Sequence, residues 1–335
     1  MATTMQDVAR YAAVSTATVS RALNRPELVD AETRQRVLDA VQDLGYRIDA
    51  AARTLRTRRT QHLAVVVDSL TDPLTVGIIE SFEDTILQHD YSVQLYVTQG
   101  KENRLQLYLR MLTERGRTDG VLWMSANPRP DDLNKLSDHN IPVVMVNVPS
   151  DLAPALHFDY AAVAENAIRY LLENGHRRIG LIAKGAVSFW PERSHAAGYH
   201  KALTEAKVPI DKKLIVEADA DNWSEAVLKL LSLTQPPTAL LATDDRVAAQ
   251  VYQIFAENGV RIPHQVSLVG CGDLPIARFL HPPLTSVQLP TGHMGRRAFK
   301  ALQAIVTGTA VDIDRPHPAP KIIERASVSH PHDGN

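Results

Sequence analysis

The spacing of apolar residues changes near residue 62. Before that point, apolar positions recur every three or four residues in short stretches, which is the periodicity of amphipathic helices. After it, continuous apolar runs such as 63–67 and 143–146 alternate with stretches of helical length. Runs that are apolar on both faces and separated by helices are typical of parallel sheets covered on both sides. The pattern therefore predicts a small all-α segment followed by an α/β body.

The apolar runs of the body leave two architectures open. They could close into one barrel, or divide into two open sheets of about four or five strands each. A break at 151–154 and proline-containing segments at 290 and 315–318 favour two sheets, with the chain crossing between them. A chain of 335 residues is also long enough for about two or three domains.

Two short helices joined by a tight turn are predicted within residues 5–24. The apolar stripe of the first includes Val8 and Ala12, and that of the second includes Val19 and Leu23. Ser15 is the expected N-cap of the second helix. This is the outline of a helix-turn-helix, whose second helix enters the DNA major groove with its N-terminal side chains facing the bases.

A third helix is predicted from an N-cap at Asp30 to a closing Gly45.

The distribution of charge supports the same interpretation, though weakly. Residues 1–60 contain ten Arg, no Lys and seven acidic residues, giving +3, against −2 for the whole chain and therefore −5 for the remainder. A basic segment attached to an acidic body fits a nucleic-acid module joined to another domain.

Composition excludes several classes of protein. One cysteine, Cys271, allows neither an internal disulfide framework nor a multi-cysteine metal site. Asp7 and Arg10 interrupt the N-terminus where a signal peptide needs an apolar run, and no run has the length of a membrane span. We expect a soluble cytoplasmic, nucleoid-associated protein with a frayed segment at 330–335.

The N-terminal residues resemble the headpiece of the LacI/GalR (lactose/galactose repressor) family without a gap from residue 5 to 59. The matching stretches are Asp7–Arg10, Val14–Asn24, Thr33–Tyr46 and Ala51–Leu55. The body, over about 62–328, is similar to the periplasmic-binding-protein-like core of the same family, in which two lobes flank a cleft and the chain crosses between them three times. The predicted boundaries are 1–48 for the headpiece, 49–61 for a hinge helix, 62–157 with 291–322 for the first lobe, 158–290 with 323–328 for the second lobe, and 329–335 for the tail.

The resemblance places Thr16, Ala17 and Arg21 against DNA bases. Arg21 can donate two hydrogen bonds to guanine, the Thr16 hydroxyl can donate or accept, and the Ala17 methyl can contact thymine. A capping role is the alternative for Thr16, and a phosphate contact for Arg21. Three further side chains are placed for the DNA backbone: Ser15, Ser20 and Asn24.

In the family, the hinge segment folds on DNA beside its dimer mate. There a leucine, here Leu55, inserts into the minor groove, Ala52 would lie at the contact between hinges, and Arg53 and Arg56 near phosphates. An ordinary charged linker is the alternative. Asp49 departs from the family pattern and would be repelled by phosphate, so we do not count it as a DNA contact.

Effector contacts are expected in the cleft. The resemblance implies Arg193 for hydroxyls or carboxylates of the ligand, Trp223 for packing on its ring and Asn147 for a polar contact. The alternatives are a surface arginine and a core tryptophan. Two further residues are candidates from their positions in the sequence, Trp190 just before Arg193 and Asp72 in the first strand–helix turn.

One departure from the family concerns the acid pair that usually contacts the ligand. Gly272 replaces the first acid and only Asp273 remains, so the alternatives are a less hydroxyl-rich ligand and Asp244 as a substitute contact. No dinucleotide loop, phosphate loop or marked acid–base pair is present, so neither a cofactor nor an enzyme activity is expected.

The resulting hypothesis is a repressor that binds a near-palindromic operator as a homodimer or tetramer. It would be controlled by a small molecule, with a sugar or sugar-derived metabolite as the family-level choice. The alternatives are a regulator controlled by a protein corepressor, a solute-binding receptor without DNA function, and an enzyme carrying a DNA module.

Overall fold

The computed structural model describes residues 3–46, 59–114, 118–125, 128–148, 150–184, 194–218, 223–313 and 318–331. The chain separates into two compact units, Met1–Thr60 and Gln61–Asn335. The predicted hinge lies outside the described residues as far as residue 58, and the predicted domain boundaries stay predictions.

Within residues 3–46, the first unit contains three α-helices, α1 (Met5–Tyr11), α2 (Thr16–Asn24) and α3 (Ala31–Asp43). The Ser15 hydroxyl accepts a hydrogen bond from the Thr18 backbone N–H at 3.1 Å, and the Asp30 carboxylate accepts one from Thr33 at 2.8 Å. Both predicted N-caps are therefore confirmed. The helices enclose a small core of buried side chains: Val8, Ala9, Ala12, Val19, Ala22, Val37 and Ala40.

The second unit contains two sheets flanked by helices. The strands are β1 (His62–Val67), β2 (Ser92–Val97), β3 (Val121–Met124), β4 (Val143–Val146), β5 (Ala155–Leu156), β6 (Ile179–Lys184), β7 (Ile215–Ala218), β8 (Ala239–Ala242), β9 (Ser267–Gly272), β10 (Thr285–Gln288) and β11 (Lys321–Ile323). The helices are α4 (Pro73–Leu87), α5 (Glu102–Thr113), α6 (Pro130–Asp138), α7 (Tyr160–Glu173), α8 (His195–Glu205), α9 (Trp223–Leu231), α10 (Asp245–Glu257) and α11 (Thr291–Thr307).

The strands form two open sheets, as the sequence predicted, and not a barrel. Their orders are β2-β1-β3-β4-β5 and β11-β10-β9-β8-β6-β7. The described strand pairs are parallel, except that β11 runs antiparallel to β10. Successive residues of β1 are buried in different clusters, Leu63 and Val65 in one and Ala64 and Val66 in the other. This burial on both faces explains the continuous apolar run.

The chain crosses between the sheets more than once. It leaves the first sheet after β5, and α11 returns to the first lobe, where Phe299 packs edge-on against Phe82 of α4 with ring centroids 6.3 Å apart. The chain then joins the second sheet again through β11. The predicted crossing at residue 322 falls inside this strand.

The tail is ordered further than composition suggested. The Ser329 backbone N–H donates to Ser267 Oγ at 3.1 Å, and His330 Nδ1 lies 2.9 Å from the Asn174 carbonyl. His176 Nε2 donates to the Ser329 carbonyl at 2.8 Å. The expectation of fraying is therefore wrong for 330–331, because polar groups of the second lobe bind this part of the chain. None of the helices in the described residues combines the length and apolar character needed to cross a bilayer.

Candidate nucleic-acid interface and inter-lobe cleft

Helix α2 buries one face and exposes the other. Val19 and Ala22 lie in the headpiece core, whereas Thr16, Ala17 and Arg21 are exposed. Residues four apart lie on the same face of a helix, so Ala17 and Arg21 project in one direction. The structure therefore leaves the three predicted base-contacting side chains exposed along α2, from its first residue to its last turn.

The other predicted DNA contacts lie partly in the headpiece and partly in the hinge. The Ser15 hydroxyl is engaged as the cap of α2 and lies 2.9 Å from Thr18 Oγ1, so capping is its observed role. Ser20 is half-buried, and Asn24 is described only as the last residue of the helix. The hinge residues Ala52, Arg53, Leu55 and Arg56 lie outside the described residues.

The cleft candidates follow the carboxyl ends of strands in both sheets. Asp72 is the N-cap of α4, accepting hydrogen bonds from the Leu74 backbone N–H at 3.3 Å and the Thr75 hydroxyl at 3.1 Å. Asp244 is the N-cap of α10 and accepts from the Arg246 backbone N–H at 2.7 Å. The carboxyl ends of parallel strands are the usual position of ligand sites in α/β proteins.

Arg246 joins these two carboxylates, although no sequence pattern indicated this role. Its Nε and Nη2 donate to the two carboxylate oxygens of Asp244 at 2.9 and 2.6 Å. Its Nη2 also lies 3.4 Å from Asp72 Oδ1 in the first lobe. Two predicted effector contacts are thus held together by one guanidinium.

Asn147 organises the first crossing. Its backbone is left-handed, with φ 57°, a conformation that asparagine tolerates better than most residues. Its side-chain oxygen accepts from the Phe158 backbone N–H at 3.2 Å, and its amide donates to Tyr160 Oη at 3.3 Å. A predicted ligand contact therefore also orients a tyrosine at the start of α7.

Tyr160 stacks against His195, with ring centroids 4.9 Å apart and the planes tilted by 35°. Burial raises the pKa of Tyr160, and the nearby charges of Asp72 and Asp244 raise it further. Burial lowers the pKa of His195 to about 4, although the charge of Asp244 opposes the change. At neutral pH both groups are therefore uncharged.

His195 also offers a polar atom to a ligand. Its Nε2 is shielded from solvent and has no hydrogen-bond partner among the described residues. Sequence reasoning missed both members of the pair. For His195 the available signal was its place two residues after Arg193, at the start of a helix.

Two predicted effector residues are engaged elsewhere. The Asp273 carboxylate is only 4% exposed and pairs with Arg325 at 2.5 Å. Trp223 is 5% exposed and belongs to a core cluster of the second lobe. Arg193 and Trp190 lie outside the described residues.

Asp245 follows Asp244 but is fully buried. Its carboxylate accepts hydrogen bonds from the Leu274 backbone N–H at 2.6 Å and the Ser286 hydroxyl at 2.7 Å. A Cβ at Gly270 would lie 2.1 Å from Asp245 Oδ1. This glycine therefore makes room for the carboxylate, which explains it without a nucleotide loop.

The Asp245→Asn variant is expected to remove a pH dependence of stability. Burial raises the pKa of Asp245 to about 6, from an ordinary value of 3.8. The folded state then holds the Asp245 proton more tightly than the unfolded state, so the contribution of Asp245 to stability is greatest below about pH 4 and falls as pH rises to about 6, by about 3 kcal/mol. Urea unfolding at pH 4 and pH 7 should show this loss as a change in the stability difference between the parent and the variant.

Asp132→Asn is the control, because its effect on stability should change with pH in the opposite direction. Burial alone would raise the pKa of Asp132, but hydrogen bonds from Arg129 and Gln106 outweigh it and lower the pKa. This variant should therefore lose stability at neutral pH and approach the parent in acid. A parent whose stability does not fall between pH 4 and 7 relative to Asp245→Asn would contradict the prediction.

Comparison with known proteins places these features in context. Residues 4–49 match the model for bacterial regulatory proteins of the lacI family, and residues 168–328 match a periplasmic binding protein-like domain. The chain is 32% identical over 311 residues to the HTH-type transcriptional repressor PurR of Haemophilus influenzae (strain PittEE), covering 91% of each protein. It is also 32% identical to the PurR of Edwardsiella ictaluri (strain 93-146), covering 97% of each.

Solved structures share the fold. A lac repressor dimer bound to operator and the anti-inducer ONPF has a TM-score of 0.79 at 23% identity, covering 98% of this chain and 100% of that one. A complex of the transcriptional regulator CelR with cellobiose has a TM-score of 0.67 at 27% identity, covering 97% and 99%.

Proposed function

This chain belongs to the lacI family of bacterial regulatory proteins and is a DNA-binding transcriptional repressor, not an enzyme; from that premise we propose that a small molecule held between its lobes controls its affinity for a near-palindromic operator. The observation that carries the DNA-binding part is the exposure of Thr16, Ala17 and Arg21 on one side of a capped helix whose opposite side is buried. Two exposed polar side chains and an exposed methyl group at that position suit the reading of base edges.

The cleft supports the effector part of the proposal. Small-molecule sites usually lie beyond the ends of parallel strands. The groups found there in this chain are the carboxylates of Asp72 and Asp244, the amide of Asn147 and the neutral rings of Tyr160 and His195. We keep the remaining predicted residues as proposed contacts, although Trp223 packs in the core of the second lobe and Asp273 pairs with Arg325. They are Arg193, Trp190, Trp223 and Asp273.

A sugar or sugar-derived metabolite is the proposed class of effector. Structural relatives are described with cellobiose and with bound ribose. Hydroxyl-rich ligands need several neutral donors and acceptors, which Asn147, Tyr160 and His195 supply.

A gel-shift titration on DNA upstream of the protein's own gene tests the function. We expect a specific complex whose affinity changes when a metabolite of the proposed class is added. Specific binding that no metabolite alters would overturn the effector part, and absence of specific binding would overturn the operator part.

Two copies are needed for a useful operator complex. One headpiece buries too little surface for high specificity, whereas a twofold dimer reads both halves of a near-palindrome. We propose a homodimer held through the core, acting in the cytoplasm on nucleoid DNA. Phe279 is our candidate for this interface, because its ring is 83% exposed and it lies three residues from Ile276, another exposed apolar residue.

Phe279→Ser is therefore expected to weaken the dimer by at least tenfold. Loss of a buried aromatic anchor from an interface typically costs about 2 kcal/mol or more, and a twofold axis applies the change twice. Sedimentation velocity across a concentration series measures the dissociation constant. Leu152→Ser, at another exposed apolar residue (58% exposed), is the matched control. Equal dissociation constants for the parent and Phe279→Ser would remove Phe279 from the interface.

A further inference from the structure

Arg246 lies between carboxylates that belong to different lobes. It is in the first turn of α10 in the second lobe, while Asp72 caps α4 of the first lobe. We propose that Arg246 is a positioning residue that clamps the lobes in the arrangement seen here, and that the effector response works against this clamp. The second half of the proposal rests on the proposed function; the clamp itself does not.

Both partners of the clamp are fixed before they meet. The guanidinium of Arg246 donates two hydrogen bonds to Asp244. These bonds fix the plane of the guanidinium and direct its Nη2 toward the first lobe. Asp72 is held by the backbone and side-chain hydrogen bonds of its capping position. Because neither side chain has to be ordered by the contact, the pair loses less conformational entropy than an ordinary surface pair.

The position of the clamp makes it adjustable. The side chains of Arg246 and Asp72 are 46% and 34% exposed, so salt and ligand can reach them. A pair with this exposure is expected to change the ratio of lobe arrangements by about two- to fivefold. A ligand shifts that ratio only by its difference in affinity between the arrangements, so a small built-in bias sets how much ligand is needed.

Spin-label distance measurements on the whole chain test the clamp without ligand or DNA. Ser137→Cys on α6 and Ser224→Cys on α9 place one label on each lobe at exposed positions, and the native Cys271 is buried. Labelled protein is mixed with an excess of unlabelled protein so that labels on two copies rarely meet. Asp72→Asn keeps a good N-cap while removing the charge, and Arg246→Gln removes the cation.

We expect each variant to reduce the ratio of the parent's lobe separation to other separations by about two- to fivefold. The double variant should show no more change than either single one, because all three remove the same contact. High salt should shift the parent and leave the variants unchanged. Arg169→Gln is the matched control, since Arg169 is 53% exposed and pairs with Glu165 inside the second lobe.

Unchanged distances in Asp72→Asn and Arg246→Gln, or shifts that add in the double variant, would overturn the clamp. If Arg246→Gln fails to fold, Arg246→Lys replaces it, because lysine keeps the charge but cannot bridge both carboxylates with a planar fork. Operator gel shifts with the same variants address the proposed function separately. A clamp confirmed by distances therefore stands even if no metabolite alters DNA binding.

Discussion

Arg21→Ala is expected to weaken specific operator binding by about 10- to 100-fold for each headpiece, since a bidentate arginine–guanine contact is worth about 1–3 kcal/mol. Arg21 is exposed on α2, and its side chain projects from the same face as Ala17. In a dimer the loss occurs twice, so the combined effect on a palindrome is larger than on a half-site. Fluorescence anisotropy with labelled operator and random duplex, at fixed salt, measures both affinities.

The ratio of the two affinities decides the role of Arg21. A base contact lowers operator affinity much more than random-duplex affinity, whereas a phosphate contact lowers both alike and reduces the salt dependence. Arg34→Ala, at an exposed arginine on α3, is the matched control and should change both affinities little and equally. Equal losses for Arg21→Ala on the two duplexes would assign it to the backbone.

Gly198→Ala is expected to destabilise the core by about 3 kcal/mol or more, the upper range for overpacking. A Cβ at this position would lie 1.9 Å from the carbonyl oxygen of Ala161, so α8 and α7 approach too closely for any side chain. The obstacle is helix backbone, which cannot rotate away as a flexible side chain would. Urea unfolding of the parent and the variant measures the difference in free energy.

Gly292→Ala is the matched control for this substitution. Gly292 is also in a helix, but the nearest atom to an added Cβ is the end of the Arg296 side chain at 3.5 Å. There alanine should be neutral or stabilising by up to about 1 kcal/mol, because it restricts the unfolded chain. Similar stabilities for Gly198→Ala and the parent would show that the helices can separate at little cost.

Local signals in the sequence predicted the headpiece well. Ser15 and Asp30 cap helices through hydrogen bonds to residues only three positions away. Because these contacts are local, the sequence pattern predicted both helix starts correctly. The sheets were also predictable, because strands buried on both faces such as β1 read as continuous apolar runs. Both depend on neighbours along the chain.

The arrangement of side chains in the cleft depends on contacts between residues distant in sequence, and the sequence predicted only part of it. Strand ends identified Asp72 and Asp244 as neighbours of a ligand site, but nothing near residue 246 indicated that its arginine would join them. Asp273 was expected to face a ligand, whereas Arg325, far along the chain, occupies its carboxylate. Partners of charged side chains are fixed by topology, which single-residue patterns do not encode.

The return of α11 to the first lobe has a consequence for synthesis on the ribosome. The apolar face of α4, including Ile78 and Phe82, is covered by Met294 and Phe299, which are translated roughly 200 residues later. Translation at about 5–20 residues per second leaves this face of α4 exposed for about 10–40 s before α11 is synthesised. The nascent first lobe therefore exposes an apolar face to which chaperones can bind during this interval, while the headpiece can fold as soon as it emerges.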